Sequence, residues 1–218
     1  MKILNLYAGI GGNRKLWGDE HEITAVELNA DIAAVYRGLF PNDTMIVADA
    51  HQYLLDHYRE FDFIWTSPPC PTHSRMMKAT RHDLIMYPDM KLWQEIIYLQ
   101  NWCKALFVVE NVIPYYELFI HAQEIGRHLF WANFRIDNTN LPKIKDLVRK
   151  GGESRLCNVT KEVLMEYLDI HIAKNIYDGS HDERKVLRNC VHPKLGEHIL
   201  NCAMGRKVDM TQLPLFSI

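Results

Sequence analysis

Ile3-Leu4-Asn5-Leu6-Tyr7-Ala8-Gly9-Ile10-Gly11-Gly12 is an apolar run that passes directly into a glycine-rich turn. A short apolar run of this kind predicts a buried strand, and the glycines allow the backbone to turn and to approach a ligand closely. We expect a helix from about Asn13, whose first N–H groups would suit a polar ligand. Strand, glycine turn and helix in this order predict the first unit of a parallel α/β sheet.

The same alternation continues over the first two thirds of the chain. Apolar runs at 23–26, 45–47, 61–65 and 107–109 predict further strands, and helical spacing of apolar residues predicts helices at 30–39, 91–106 and 194–204. The fold class expected is therefore α/β, with a doubly wound, mostly parallel sheet. We divide the chain into a core at 1–136, a small polar insertion at 137–183, a segment that rejoins the core at 184–206, and a tail at 207–218.

The composition is that of a folded protein and excludes several classes. The chain has 218 residues, of which 48% are hydrophobic and 24% charged, and a formal net charge of −2. This balance excludes disordered and collagen-like chains. No apolar run is long enough to predict a membrane span, and no secretion signal is recognisable, so we expect a cytoplasmic protein. The five cysteines lack a Cys-x-x-Cys pair, so neither a disulfide framework nor a metal site is expected.

Acidic residues stand at the ends of the second and third predicted strands. Glu27 ends the second strand, where a carboxylate can accept hydrogen bonds from both hydroxyls of a ribose. Asp49 ends the third strand and can accept a hydrogen bond from the amino group of an adenine. Either acid alone is equally consistent with a solvated side chain. Together with the glycine turn, they predict a pocket for an adenosine group.

Pro68-Pro69-Cys70 follows the fourth predicted strand. Two prolines cannot continue a ladder of hydrogen bonds, so they end the strand and restrict the backbone before the thiol. Cys70 is therefore a candidate nucleophile, with a buried structural cysteine as the alternative. Glu110 ends the neighbouring strand, where a carboxylic acid could bind or protonate the substrate of a thiolate. A Cys/His hydrolase using His73 is a weaker alternative, because it leaves the adenosine pocket unexplained.

These motifs, in this order, resemble those of the cytosine-C5 DNA methyltransferases. The matching stretches are Leu6-Tyr7-Ala8-Gly9-Ile10-Gly11-Gly12, Glu27-Leu28-Asn29, Ala48-Asp49-Ala50, Ser67-Pro68-Pro69-Cys70-Pro71-Thr72-His73-Ser74, Glu110-Asn111-Val112 and Arg188-Asn189-Cys190-Val191-His192-Pro193-Lys194-Leu195. The resemblance covers about residues 3–135 and 184–204. It is closest to a short bacterial or phage-type member, with a reduced target-recognition region and an expected location in the cytoplasm of a bacterial or phage-infected cell.

The resemblance implies a Rossmann-like, class I S-adenosylmethionine-dependent methyltransferase. It implies that the Cys70 thiolate adds to C6 of a flipped-out cytosine and that Glu110 bonds the pyrimidine N3 and amine. C5 would take the methyl group, leaving S-adenosylhomocysteine, without a metal. The residues expected to bind the cofactor are Tyr7, Ala8, Gly9, Gly11, Gly12, Glu27, Leu28, Asp49, Ala50, Pro69, Asn189 and Cys190.

The arginine motif of the family, Gln-x-Arg-x-Arg, is incomplete. Its best match is Gln123-Glu124-Ile125-Gly126-Arg127, in which Ile125 takes the place of the first arginine. Arg127 would contact the pyrimidine O2 or position Glu110, with an exposed arginine at a helix end as the alternative reading. Arg155 is the rival for the same role, because its distance from Glu110 along the chain is more usual.

Basic residues outside the core predict where nucleic acid binds. The stretch 143–161 has an excess of positive charge where the family places target recognition, and the loop 71–88 follows the nucleophile. The expected contacts are Ser74, Arg75, Lys78, Arg81, Lys143, Lys145, Arg149, Lys150 and Arg155. Double-stranded DNA is the partner implied by the resemblance. A tRNA cytosine methyltransferase and a catalytically weak nucleic-acid-binding module remain the alternatives.

Gln212-Leu213-Pro214-Leu215-Phe216 forms a separate motif near the C-terminus. It resembles the peptide by which bacterial replication and repair proteins bind the sliding clamp, in which apolar side chains on an extended tail fill a groove. A C-terminal segment that packs on its own core is the alternative.

Overall fold

Seven strands make one sheet in the computed structural model, which describes residues 1–74, 87–138, 159–172 and 182–205. The strands are β1 (Lys2–Leu6), β2 (Glu22–Glu27), β3 (Thr44–Val47), β4 (Phe63–Thr66), β5 (Leu106–Val112), β6 (Gln123–Ile125) and β7 (His128–Ala132). Their order is β3-β2-β1-β4-β5-β7-β6. The first five strands are parallel, and β7 runs antiparallel to both β5 and β6. The predicted doubly wound, mostly parallel sheet is confirmed.

Six α-helices flank the sheet within the described residues. They are α1 (Ala30–Leu39), α2 (Ala50–His57), α3 (Lys91–Trp102), α4 (Lys161–Leu168), α5 (Glu183–Arg188) and α6 (Pro193–Ala203), and a short 3₁₀ turn spans Tyr58–Glu60. Helices α2 and α3 pack on one face of the sheet, and α6 packs on the other. Among these helices none is long and apolar enough to cross a membrane.

The central strands are buried on both faces, which explains why they are continuously apolar rather than alternating. Ile3, Leu4 and Leu6 of β1 have no exposed surface, and all four residues of β4 are buried. The register sets Leu6 opposite both Val26 and Thr66. Residues that follow these strands therefore lie along one edge of the sheet, where α/β proteins bind their ligands.

The helix predicted from Asn13 is wrong, because residues 8–17 form successive turns. The N–H of Gly11 donates to Ala8 O at 2.9 Å, and the N–H of Arg14 donates to Gly11 O at 3.1 Å. Buried side chains fix these turns: the amide of Asn13 donates to Asn5 Oδ1 at 2.8 Å, and Arg14 makes two hydrogen bonds to Asp43 at 2.8 and 3.0 Å. Such specific partners outweigh a local preference for helix.

The sequence pattern does not predict helix α2, because it favours a ligand role for Asp49 over the start of a helix. Its carboxylate accepts hydrogen bonds from the N–H groups of His51 and Gln52, as an N-cap residue does. Strand β5 also extends beyond its predicted end, so Glu110 and Asn111 lie within the strand.

The C-terminal part returns to the glycine-rich turn. A Cβ atom on Gly196 of α6 would lie 2.1 Å from Asn13 O, so only glycine allows this close approach. Helices α4 and α5 share a buried cluster with Ile10 and Val35. The boundaries of the four parts proposed from the sequence stay a prediction.

Candidate active site

The glycine-rich turn after β1 is tied to the end of β2 by Glu27. One oxygen of Glu27 accepts the Gly9 N–H at 3.0 Å, and the other accepts the Asn29 N–H at 2.9 Å. A Cβ atom on Gly9 would meet nothing within 4 Å, whereas one on Gly11 (φ +81°) would lie 2.3 Å from the Phe40 ring. The turn is therefore packed tightly beneath Gly11 and open at Gly9, and each Glu27 oxygen keeps a lone pair for a ligand.

Asp49, which follows β3, caps helix α2 with one oxygen and leaves the other oxygen near Lys91. Its Oδ1 accepts hydrogen bonds from the N–H groups of His51 and Gln52, which lower the pKa of the carboxyl, and its Oδ2 lies 3.8 Å from Lys91 Nζ. The carboxylate is half exposed and thus accessible to a ligand. The Ala50 side chain is buried in the core, so Ala50 can meet a cofactor only through its backbone, while Leu28 is 69% exposed at the rim.

Residues that the sequence assigned to the cofactor lie together along one edge of the sheet. Tyr7–Gly12 follow β1, Glu27 and Leu28 lie at the end of β2, Asp49 follows β3, and Pro69 follows β4. Cys190 packs on this turn from the far side, because a Cβ on Gly12 would lie 2.8 Å from Cys190 Cβ. Asn189 is exposed at the end of α5. An open glycine turn with carboxylates at neighbouring strand ends fits an adenosine-containing cofactor.

The turn that carries Cys70 is held against the segment after β5. Cys70 O accepts the N–H groups of His73 and Ser74, both at 3.0 Å, and Ser74 forms an isolated antiparallel bridge with Pro114. The Asn111 amide also donates to Pro68 O at 3.0 Å. These contacts join the Cys70 turn to β5, the strand of Glu110.

The buried His73 serves this anchoring. Its Nδ1 lies 2.5 Å from the hydroxyl of Tyr116, and its carbonyl accepts the Tyr115 N–H at 3.2 Å. Burial lowers the pKa of His73, which favours the neutral ring. Since His73 bonds Tyr116, the contacts support an anchoring role rather than the base of a Cys/His hydrolase.

Glu110 is buried beside His128 and near Cys70. Its Oε1 lies 2.5 Å from His128 Nδ1, and the Ser67 hydroxyl, which accepts the Trp65 indole N–H, also bonds it. Burial alone would raise the pKa of Glu110, but His128, Ser67 and the charge of Arg127 together lower it. These partners favour the ionised form of Glu110.

The pKa of Cys70 is shifted in the opposite direction to that of Glu110. Burial raises the pKa of the Cys70 thiol, and the negative charge of Glu110 raises it further, while the charges of Arg127 and Lys185 oppose the rise. The two groups are thus close enough for each charge to affect the other. The thiol in the turn after β4 can attack an electron-poor ring, and the buried carboxylate on the adjacent strand β5 can bind the polar edge of that ring.

The sequence matches a known protein family. The family model described as C-5 cytosine-specific DNA methylase matches residues 1–114. The chain belongs to this methylase family. A search of curated proteins finds no match.

A search of solved structures finds similar chains, three of which are described here. The Entamoeba histolytica methyltransferase EhMeth has 12% identity and a TM-score of 0.54, and the match covers 94% of this chain and 98% of that chain. Spodoptera frugiperda DNMT2 has 28% identity and a TM-score of 0.36, covering 51% and 35%. A SAM-dependent methyltransferase from Agrobacterium tumefaciens has 17% identity and a TM-score of 0.39, covering 55% and 41%. The likeness to EhMeth shows a shared fold.

The incomplete arginine motif of this methylase forms a hairpin. Gly126 (φ +65°) and Arg127 make a two-residue turn between β6 and β7, so Arg127 is an exposed arginine at a hairpin turn rather than at a helix end. Ile125 is buried in the apolar layer. Arg127 contacts Arg188 O and His128 Nε2, each at 3.1 Å. Its hydrogen bonds reach Glu110 through His128.

His128 is the site residue that sequence reasoning missed. The signal was available only after the β6–β7 hairpin was recognised, because the pairing of Val112 with His128 sets this ring diagonally across from Glu110. Without that hairpin, a histidine after Arg127 has no distinguishing feature in the methylase sequence.

Most of the expected nucleic-acid contacts of the methylase fall outside the described residues. Ser74 is described, and its bridge to Pro114 places it beside the nucleophile turn. Outside the described residues lie Arg75, Lys78, Arg81, Lys143, Lys145, Arg149, Lys150, Arg155 and the tail Gln212–Phe216. In the described part of the chain, no group of three or more His, Cys, Asp or Glu residues could hold a metal ion.

Proposed function

We propose that this protein transfers a methyl group from S-adenosylmethionine to C5 of cytosine in double-stranded DNA, through a covalent bond between Cys70 and C6 of the base. The observation that carries the proposal is the linkage of the Cys70 turn, which follows β4, to the adjacent strand β5, which contains Glu110. The Asn111–Pro68 hydrogen bond and the Ser74–Pro114 bridge support a fixed distance between the two groups.

The residues at the edge of the sheet fit the cofactor. Glu27 would bind the ribose hydroxyls, the free oxygen of Asp49 would accept from the adenine amino group, and the open face at Gly9 would admit the rest of the molecule. Leu28 and Pro69 would border the adenine, and Asn189 and Cys190 would close the turn from the far side. When bound, the cofactor supplies an electrophilic methyl group.

Cys70 begins the reaction as a thiolate. Its lone pair forms the Sγ–C6 bond, and the C5–C6 π electrons move to C5, which becomes nucleophilic. After methylation the C5 proton is lost to a base, the C5–C6 double bond re-forms and the Sγ–C6 bond breaks. Because burial and Glu110 raise the pKa of Cys70, the opposing charges of Arg127 and Lys185 support formation of the thiolate.

Glu110 binds the polar edge of the same base. One carboxyl oxygen would accept a hydrogen bond from the exocyclic amine. The other would take up a proton from solvent as the base binds and donate it to N3, so that the negative charge that the thiolate brings to the ring is neutralised during attack. A preorganised group of this kind stabilises the transition state because it needs no reorganisation. The target carbon is stacked inside a duplex, so the cytosine must be flipped out into this cleft.

The test is covalent trapping on DNA that contains 5-fluorocytosine, with S-adenosylmethionine present. Fluorine at C5 cannot leave as a proton would, so the enzyme stays attached. We expect an adduct that survives denaturation, is lost in Cys70→Ser and persists in Cys103→Ser, a matched control at the end of α3. A wild-type protein that methylates DNA without forming the adduct, or that places the methyl group on N4 of cytosine or N6 of adenine, would refute the mechanism.

The nature of the nucleic acid is tested separately. Labelled S-adenosylmethionine is offered with duplex DNA or with tRNA at equal cytosine content. Transfer to the duplex supports the proposal, whereas transfer to tRNA alone replaces DNA by RNA and leaves the roles of Cys70 and Glu110 intact.

We further propose that Gln212-Leu213-Pro214-Leu215-Phe216 binds the bacterial sliding clamp. The support is the sequence motif, whose Leu and Phe side chains suit a preformed apolar groove. A pull-down with the clamp should retain the full chain and lose a chain without its last seven residues. Equal retention of both chains, or of neither, would refute this contact.

A further inference from the structure

Three side chains form a chain of hydrogen bonds that ends on the buried carboxylate. Arg127 Nε lies 3.1 Å from His128 Nε2, and His128 Nδ1 lies 2.5 Å from Glu110 Oε1. The guanidinium of arginine can only donate, so His128 Nε2 must accept. The remaining ring proton then resides on Nδ1 and is donated to Glu110. This position of the proton follows from the network of partners.

We propose, on the basis of the proposed function, that His128 is a positioning residue. Its two hydrogen bonds couple Arg127 to Glu110, and we call this chain of three side chains the relay. The neutral imidazole orders the carboxylate and keeps it ionised, although Arg127 itself bonds elsewhere. Arg127 therefore serves catalysis through His128 rather than through contact with the pyrimidine O2.

The surrounding structure holds both ends of the relay, Glu110 and Arg127, in place. His128 and Glu110 are largely buried, with 12% and 10% of their side chains exposed, so their hydrogen bond is little weakened by water. Their diagonal positions on the paired strands β7 and β5 leave the imidazole little freedom to turn away. At the outer end, Arg127 is also held by Arg188 O, which joins the hairpin turn to the end of α5.

The relay and a direct contact with the base predict different results in a double-mutant cycle. Removing a group that orients a catalytic ligand commonly costs ten- to a hundredfold, so we expect His128→Ala to lower kcat by about that factor with little change in KM. Measured at alkaline pH, where loss of the Arg127 charge no longer limits formation of the Cys70 thiolate, Arg127→Ala should lower kcat about tenfold in the wild-type background and less than about twofold in the His128→Ala background. Full multiplication of the two effects would overturn the relay.

Conservative variants separate positioning from folding. His128→Asn places an amide nitrogen near the position of Nδ1, whereas His128→Gln places it near the position of Nε2, so Asn should retain more activity than Gln. Equal loss in both would contradict the proposal. His121→Ala, an exposed histidine before β6, is the matched control. Cofactor affinity and thermal unfolding should be unchanged in all these variants, because a folding defect would alter both.

A measurement without turnover tests the relay even if the protein is inactive. Nitrogen NMR on histidine-labelled protein should show His128 as the neutral Nδ1–H tautomer, which becomes a mixture in Arg127→Ala. An Nε2–H tautomer in an active enzyme would refute the relay alone. An inactive wild type with the Nδ1–H tautomer and the Arg127-dependent change would refute the proposed function and leave the relay standing.

Discussion

Glu95 and Glu110 are both buried, and each contacts a histidine. His51 Nδ1 lies 3.0 Å from Glu95 Oε1, and His128 Nδ1 lies 2.5 Å from Glu110 Oε1. The two carboxylates occupy opposite faces of the sheet: Glu95 lies on α3 beneath the glycine-rich turn, whereas Glu110 shares its face with Phe130.

The two glutamates differ in what surrounds them. Glu95 Oε1 also accepts from the Tyr7 hydroxyl at 2.6 Å, and its Oε2 accepts from the Thr66 hydroxyl at 2.7 Å. Both oxygens are thus occupied by donors of the protein, and Glu95 links the turn after β1 to β4 and α2. Glu110 lies near the Cys70 thiol, the nucleophile of the proposed function. The comparison shows that a buried carboxylate with a histidine partner can support either structure or chemistry, and that its neighbours distinguish the two.

The sharpest test of this division is Glu110→Gln. We expect methyl transfer to fall about a hundredfold or more, because the amide cannot hold a proton at N3 of the cytosine. Cofactor affinity and the free energy of unfolding should stay close to those of the wild type. Activity assays with isothermal titration and urea unfolding give the three quantities. A Glu110→Gln protein that lost both stability and activity would contradict the division between a catalytic role for Glu110 and a structural role for Glu95.

The converse test is Glu95→Gln, which should cost stability first. The amide cannot accept from all the donors now directed at the carboxylate, and each buried polar group without a partner costs about 1–3 kcal/mol. For a chain of this size each kcal/mol lowers Tm by about 2–4 °C. Glu124→Gln, at an exposed position in β6, is the control. Unchanged unfolding with lost activity would instead assign Glu95 to catalysis.

The coupling between Glu110 and the nucleophile is measured by alkylation. Because burial and the charge of Glu110 raise the pKa of Cys70, the rate of modification by iodoacetamide should increase as pH rises through the alkaline range. In Glu110→Gln the midpoint should move to lower pH, since the opposing negative charge is gone. Mass spectrometry identifies the modified residue, with Cys70→Ser as the control. An unmoved midpoint would show that the two groups do not interact.

The smallest expected effect is the pH dependence contributed by His51. Its hydrogen bond to Glu95 raises the pKa of His51 above the usual value of 6.5. This contribution to the free energy of unfolding is therefore fully present below that value and is lost as pH rises through the higher pKa of the folded protein. The loss should be at most about 1 kcal/mol, because the ring is partly exposed. Urea unfolding of wild type and His51→Asn should differ more at acid than at alkaline pH, and an equal difference would contradict the coupling.

The strands that surround the cofactor edge could be predicted because each is a short apolar run before a glycine, an acid or a proline. Glu27, Asp49, Cys70 and Glu110 follow from that pattern, since parallel strands bring their carboxyl ends together. The turns after Gly12 could not be predicted, because they depend on Asn5 and Asp43, which are partners distant in sequence.

Two other features needed the tertiary structure. The segment Ala50–His57 has a strong N-cap in Asp49, and this signal competed with the ligand role that the same residue suggested. The relation of His128 to Glu110 depends on the pairing of β5 with β7, and the short hairpin that creates it contains only a three-residue strand. Local patterns predict which strands and helices form, whereas the pairing of strands determines which side chains come into contact.

The packing of Gly12 and Gly196 has a consequence for synthesis of the chain. Gly12 lies against Val191 and Cys190, and Gly196 lies against the backbone of Asn13, so the first turn is completed by residues near the other end of the sequence. On the ribosome the sheet strands emerge long before α6, and contacts so distant in sequence form late. A nascent chain halted before α6 would thus carry the acids of the cofactor site but lack the surface against which its glycine turn is shaped. Competence to bind the cofactor should therefore arise only as translation of this region ends.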